Sequence, residues 1–152
     1  MRLFISRHAE AGFDAPTDTL RPITERGAQQ TTELAERYLP ELASVSTIWC
    51  SDLLRARQTA EIIAKLSGKP LEKRPFLSPD KDPQLVMRNL SDWVGGEDLL
   101  LVSHQPLVGS LVSLLCAGHV YEPHPFVTSE VVVLECDVIG SGLATLVSAW
   151  RP

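Results

Sequence analysis

Two rhythms of apolar residues alternate along this chain. Short β-favouring runs at Leu3-Phe4-Ile5 and across residues 46–50, 71–76, 98–103, 130–136 and 143–150 read as strands. Between them, apolar residues recur at helical spacing. Ala28, Leu34, Ala35 and Tyr38 mark the inner side of a helix that opens at an N-cap Thr24, carries Glu25 in its first turn and stops at Pro40. Ala56, Ala60, Ile63 and Leu66 mark a second helix over 53–66, capped by Ser51-Asp52 and ended by Gly68 and Pro70. A third runs over 84–94 up to Gly95-Gly96. The fourth, 107–117, is apolar nearly all round, with Pro106 suited to its first position and Gly118 as its stop.

Leu99-Leu100-Leu101-Val102 is the continuous apolar run of a central parallel strand covered on both faces. Residues 71–76 alternate like an edge strand. The last two strands, joined across Gly140-Ser141-Gly142, read as an antiparallel hairpin at the sheet edge. Strands alternating with helices predict an α/β fold: a three-layer α/β/α sandwich with a mainly parallel central sheet of about six strands and an antiparallel edge strand. The 152 residues carry no repeat, low-complexity stretch or linker, so one domain spanning 1–152 is expected.

Charge and cysteine content narrow the class. The net charge of −5 leaves no basic surplus for a nucleic-acid backbone. An acidic protein that binds phosphate must instead gather its few arginines in one place. Cys50, Cys116 and Cys136 are odd in number and embedded in apolar runs, and they read as buried free thiols of a reducing compartment, without metal-ligand spacing. Residues 99–117 have the length of a membrane span, but Ser103-His104-Gln105-Pro106 divides them into strand and helix. A strand begins almost at Met1, which leaves no signal peptide. A soluble, cytoplasmic, monomeric protein is expected, with no cofactor. His119 and His124 share a loop but lack a third ligand, so no metal is expected.

The chemistry gathers at strand ends. Arg7-His8 follows the first strand and His104 follows the central one, the positions where open α/β sheets bind ligands. Arg55 lies in the first turn of its helix, a cation at the positive end of a dipole. That placement makes sense if an anion binds there, held by free backbone N–H groups and the guanidinium together. Arg57, two residues on, must point elsewhere. Two arginines and two histidines at one end of a sheet suit a tetrahedral phosphoryl group.

These residues carry a resemblance. Arg7-His8 resembles the RHG signature of the histidine phosphatase superfamily, the phosphoglycerate-mutase-like fold. Ile23-Thr24-Glu25-Arg26-Gly27 is similar to the segment that opens the family's first helix, and the stretch from Cys50 through Ser51, Arg55 and Gln58 to Thr59 is similar to its S-x-x-x-R-x-x-Q-T element. Val102-Ser103-His104 resembles its later strand-then-His element. The marks span most of the chain in the family's order. The small size, Arg21-Pro22-Ile23-Thr24 and Ser103-His104-Gln105-Pro106-Leu107-Val108-Gly109 resemble the SixA-type phosphohistidine phosphatases within the superfamily. Ala9 departs from the pattern by standing where the family has Gly, which matters only if the position needs a positive φ.

The resemblance implies roles. His8 would attack phosphorus through a neutral ring nitrogen, giving a covalent phosphohistidine that water hydrolyses. Arg7, Arg55 and a protonated His104 would hold the phosphoryl oxygens, which requires the site to push the two histidine pKa values apart. Arg21 would reach the phosphate rim or the partner. Larger relatives carry an acidic proton donor in a covering insertion that is short here, and Asp80, Asp82 and Glu10 are the nearby carboxylates. An imidazole, with a pKa near ~6.5, departs more readily than an alkoxide, so a site without a dedicated acid suits a histidine-phosphorylated protein as substrate and partner. The alternatives are a small-molecule phosphomonoester phosphatase or mutase using one of those carboxylates, and a non-catalytic phosphoprotein-binding module.

Overall fold

The computed structural model describes residues 1–93 and 96–152. Six strands form one sheet: β1 (Arg2–Arg7), β2 (Val45–Cys50), β3 (Leu71–Lys73), β4 (Asp98–Ser103), β5 (Val131–Glu135) and β6 (Thr145–Trp150). Their spatial order is β3-β2-β4-β1-β5-β6. The first four strands in that order run parallel, β5 runs against them, and β6 turns back antiparallel to β5. The antiparallel strand therefore lies one place in from the edge, and β6 forms the edge itself.

Strand alternation sorts side chains onto two faces. Leu3 and Ile5 of β1, Leu99 and Leu101 of β4, and Val132 and Leu134 of β5 point to one side. There they pack against α4 (Pro83–Ser91) and α5 (Leu107–Ala117) through Val86, Leu90, Leu107, Leu111 and Leu115. Phe4, Leu100, Val102, Val131 and Val133 point to the other, onto α1 (Glu25–Arg37), α2 (Leu39–Leu42) and α3 (Leu54–Ser67). This is the expected three-layer sandwich.

Local signals and outcomes differ in several places, among them β3, which ends at Lys73 where a strand to Phe76 is expected, because Pro75 opens a 3₁₀ turn. Thr24 caps α1 as predicted, its side chain accepting from the Gly27 N–H, but Pro40 opens α2 rather than ending the helical path. Proline is tolerated at a helix's first positions, where its missing N–H has no intrahelical partner. Ser51 and Asp52 precede α3, yet Leu53 is the N-cap residue and makes no side-chain cap. Asp82 caps α4, which ends at Ser91 with Asp92 and Trp93 already past the helix, short of the expected end at Val94; residues 94 and 95 lie outside the described residues. Among the described residues, no helix is long and apolar enough to cross a membrane.

Candidate active site

Adjacent parallel strands bring the two histidines together. β1 and β4 pair with Arg7 opposite Ser103, and the His8 N–H donates to the Ser103 carbonyl at 2.9 Å. His8 and His104, the residues that follow the two strands, therefore stand side by side with ring centroids 5.0 Å apart. β2 ends on the other flank of β4, where the Ser51 N–H donates to the Val102 carbonyl at 3.1 Å, and it delivers α3 and Arg55 to the same end of the sheet. All four residues are thus placed by the carboxyl ends of β1, β2 and β4, at the centre of the sheet.

His8 has its tautomer fixed. Its Nδ1 lies 2.7 Å from the Ala9 carbonyl, which can only accept, so Nδ1 carries the proton and Nε2 keeps its lone pair. The backbone that supplies this carbonyl is itself held, because the Ala9 N–H donates to Thr59 Oγ1 at 2.9 Å and that hydroxyl donates to the Arg55 carbonyl at 2.7 Å. Ser129 is the one non-glycine residue of positive φ among the described residues, so alanine at position 9 is unstrained. Gly27 does answer to a steric demand: a Cβ there would lie 2.6 Å from the Glu10 carbonyl oxygen.

The arginines are anchored from behind. Arg7 Nη1 donates to the Phe126 carbonyl at 2.9 Å, and Arg55 Nη1 donates to the Asp18 carbonyl at 2.8 Å. Of five buried side-chain polar atoms without hydrogen-bond partners among the described residues, three belong to this site, Arg7 Nε, Arg55 Nε and His104 Nδ1, the others being Trp49 Nε1 and Arg57 Nε. Buried donors are nearly always satisfied, so three left open around one imidazole mark a place built for an anion. Arg21 joins the rim. Its Nε donates to the Gly12 carbonyl at 2.9 Å, its Nη1 pairs with Asp18 at 3.1 Å, and its guanidinium lies over the Phe13 ring. Arg57 turns away to pair with Glu61.

Electrostatics correct one expectation. Burial above all, then the positive charges of Arg55, Arg7 and Arg21, bring His8 down to about 4 against the opposing pull of the Ala9 carbonyl. Burial, then the charges of His8 and Arg55, bring His104 down to about 3. The two values are lowered together rather than pushed apart, so His104, like His8, is neutral near pH ~7. Burial beside Arg55 and Arg7 makes a further cation costly there; a bound phosphoryl dianion would oppose that field.

The sequence analysis missed three polar partners. Ser51 Oγ lies 2.8 Å from His104 Nε2. Asp18, in the 3₁₀ turn Asp18–Leu20, ties Arg55 to Arg21. Glu130, fully buried, accepts from His124 Nε2, the Val127 N–H and Arg151 Nε, and so braces the segment whose Phe126 carbonyl holds Arg7. Candidate acids are engaged elsewhere: Glu10 accepts from Thr24 Oγ1 and pairs with Arg26, Asp82 caps α4 and Asp80 is exposed. Among the described residues, no three His, Cys, Asp or Glu side chains gather to hold a metal.

Known proteins resemble this chain in sequence and fold. The profile of the histidine phosphatase superfamily (branch 1) matches residues 3–78. Phosphohistidine phosphatase SixA of Escherichia coli (strain K12) is 34% identical over 146 residues, covering 93% of this chain and 89% of that protein. The chain belongs to the histidine phosphatase superfamily. The solved structure of the protein histidine phosphatase SixA complexed with tungstate superposes with a TM-score of 0.90 at 33% identity, covering 100% of this chain and 97% of that one. The alpha-ribazole phosphatase from Shigella flexneri, at 19% identity and a TM-score of 0.76, shares the fold. Within this histidine phosphatase, the element carrying Arg7-His8 and the one carrying Arg55 both fall inside the matched 3–78 region. His104 lies beyond that region and is joined to it by the β1–β4 pairing.

Proposed function

We propose that this histidine phosphatase removes the phosphoryl group from a histidine-phosphorylated protein through a covalent phosphohistidine on His8. The observation that carries the reading is the ring of unpartnered buried donors, Arg7 Nε, Arg55 Nε and His104 Nδ1, around an imidazole whose proton is held on Nδ1. His8 Nε2 attacks phosphorus in line, and Arg7 and Arg55 neutralise the equatorial oxygens as charge builds. His104 enters neutral and donates through its free Nδ1–H; the arriving dianion then favours its protonation. Arg21 guides the phosphoryl group at the rim. Similarity to SixA over 93% of the chain supports the substrate class.

The engagement of Glu10 and Asp82, and the Arg21 and Arg55 contacts that hold Asp18 ionised, support a P–N over a P–O substrate, because these carboxylates are not set up to protonate an alkoxide. The whole chain, 1–152, then acts as one catalytic domain, a cytoplasmic monomer that reverses histidine phosphorylation in signal transduction. The test is phosphate release from a histidine-phosphorylated carrier protein beside a panel of phosphomonoesters, with wild type and His8→Ala. Turnover of the phosphohistidine alone, by wild type alone, supports the reading. Equal or faster turnover of the esters overturns the substrate class.

A further inference from the structure

Asp18 bridges Arg55 and Arg21 with an exposed carboxylate. Its carbonyl accepts from the nearly buried Arg55, 6% exposed, and its own side chain is 62% exposed, so the carboxylate lies on the solvent side of that guanidinium. Oδ2 is 3.4 Å from Arg55 Nη2 and Oδ1 is 3.1 Å from Arg21 Nη1. His8, 8% exposed, lies within the field of the same two arginines. In-line displacement sends the departing group away from the nucleophile, hence from buried His8 toward the open rim. A carboxylate has about four acceptor positions, and each Asp18 oxygen uses one on an arginine. Acceptor capacity is therefore left at the mouth.

A phosphorylated imidazole brings to that mouth something no phosphomonoester has, a second ring nitrogen. Resting on the phosphohistidine reading above, we propose that Asp18 accepts a hydrogen bond from the distal ring N–H of the substrate histidine and thereby selects P–N substrates. As His8 Nε2 bonds to phosphorus, the P–N bond breaks and its electron pair returns to the substrate ring nitrogen. If the distal nitrogen is protonated, from solvent, the group leaves as neutral imidazole that keeps this N–H. If it is not, an imidazolide anion must leave, which is far less favourable. A carboxylate on the distal N–H stabilises the protonated ring and so the productive form. Asp18 does not serve as a proton donor, because its hydrogen bond from Arg21 and the nearby Arg55 charge hold it ionised.

The experiment uses Asp18→Asn and Asp18→Glu in the full chain, assayed on free phosphohistidine, with orthovanadate binding as the measure of the anion site. The Asn variant keeps the backbone carbonyl that holds Arg55. The proposal expects phosphohistidine turnover by Asp18→Asn to fall ten- to a hundredfold, with its optimum displaced to lower pH, where the ring protonates without help. Asp18→Glu recovers part of the loss, and vanadate binds the Asn variant at least as tightly as wild type. Parallel loss of turnover and vanadate affinity overturns the proposal, since Asp18 then only positions Arg55. An unchanged turnover overturns it as well. Failure of wild type on phosphohistidine is a separate result that overturns the function reading itself.

Discussion

Ser51 Oγ lies 2.8 Å from His104 Nε2 and also receives the Leu53 N–H at 3.2 Å. The hydroxyl thus occupies Nε2 and leaves the opposite ring nitrogen, the buried Nδ1, without a partner in the protein. Ser51 therefore holds the His104 ring by Nε2 and turns Nδ1 toward the phosphoryl site. Ser51→Ala leaves a buried ring nitrogen unsatisfied, at a cost of about 1–3 kcal/mol. Enzyme assays and thermal melts should show kcat reduced about tenfold or more, together with a lowered Tm. Unaltered kcat would remove Ser51 from the account.

The lowered histidines make stability depend on acid. Unfolded, both ionise near ~6.5; folded, they ionise at about 4 and about 3. Between those values the unfolded chain binds more protons, so this stability is complete above pH ~6.5 and is lost as pH falls. Each histidine changes the folding constant by at most about tenfold per pH unit, His8 levelling off near 4 and His104 near 3. Urea midpoints followed from pH 7 to 4.5 should fall less in His8→Asn and His104→Gln than in wild type. For the same reason, the acid limb of kcat/KM lies near 4 and not near ~6.5.

Strand ends were the legible part of the site. Arg7, His8 and His104 could be placed because apolar runs define β1 and β4, and the residue after such a run sits at the sheet's carboxyl edge whatever its tertiary partners. The boundaries of α5 followed directly from Gly118 and an apolar face on every side. Asp18 could not be read, since its importance arises only when a loop residue meets Arg55, 37 positions away. Glu130 looks like the solvated start of a strand, and only the folding back of His124 and Arg151 makes it a buried hub. The joint lowering of the two histidines was not legible because local sequence does not reveal how deeply each ring is buried.

Removing that hub is costly. Glu130→Ala strips the shared acceptor from His124, Arg151 and the Val127 N–H, and breaking a buried pair costs roughly 3 kcal/mol. The same change loosens the Phe126 carbonyl that orients Arg7. Denaturant unfolding and vanadate binding should both weaken.

Gly27 makes a steric prediction. A methyl group there would meet the Glu10 carbonyl oxygen at 2.6 Å and the Ala9 Cβ at 3.2 Å, so α1 must retreat from the loop that carries His8. Gly27→Ala should destabilise the fold by about 1–3 kcal/mol, despite alanine's better helix propensity. Equilibrium unfolding measures it.

Arg55→Lys keeps the charge but not the fork. Arg55 binds the Asp18 carbonyl and carboxylate while leaving Nε free, which a single ammonium cannot reproduce. Turnover should fall about a hundredfold or more, the scale for losing one donor to developing charge, with little change in Tm. Stopped-flow phosphate release reads this directly.

The covalent intermediate is the centre of the account, and one labelling experiment reaches it. The enzyme is mixed with a carrier protein bearing radiolabelled phosphohistidine, quenched in base within milliseconds, and digested. Label on the peptide containing His8 in wild type, and its absence together with lost phosphate release in His8→Ala, is the predicted result. Phosphate release by His8→Ala at the wild-type rate would contradict the mechanism outright.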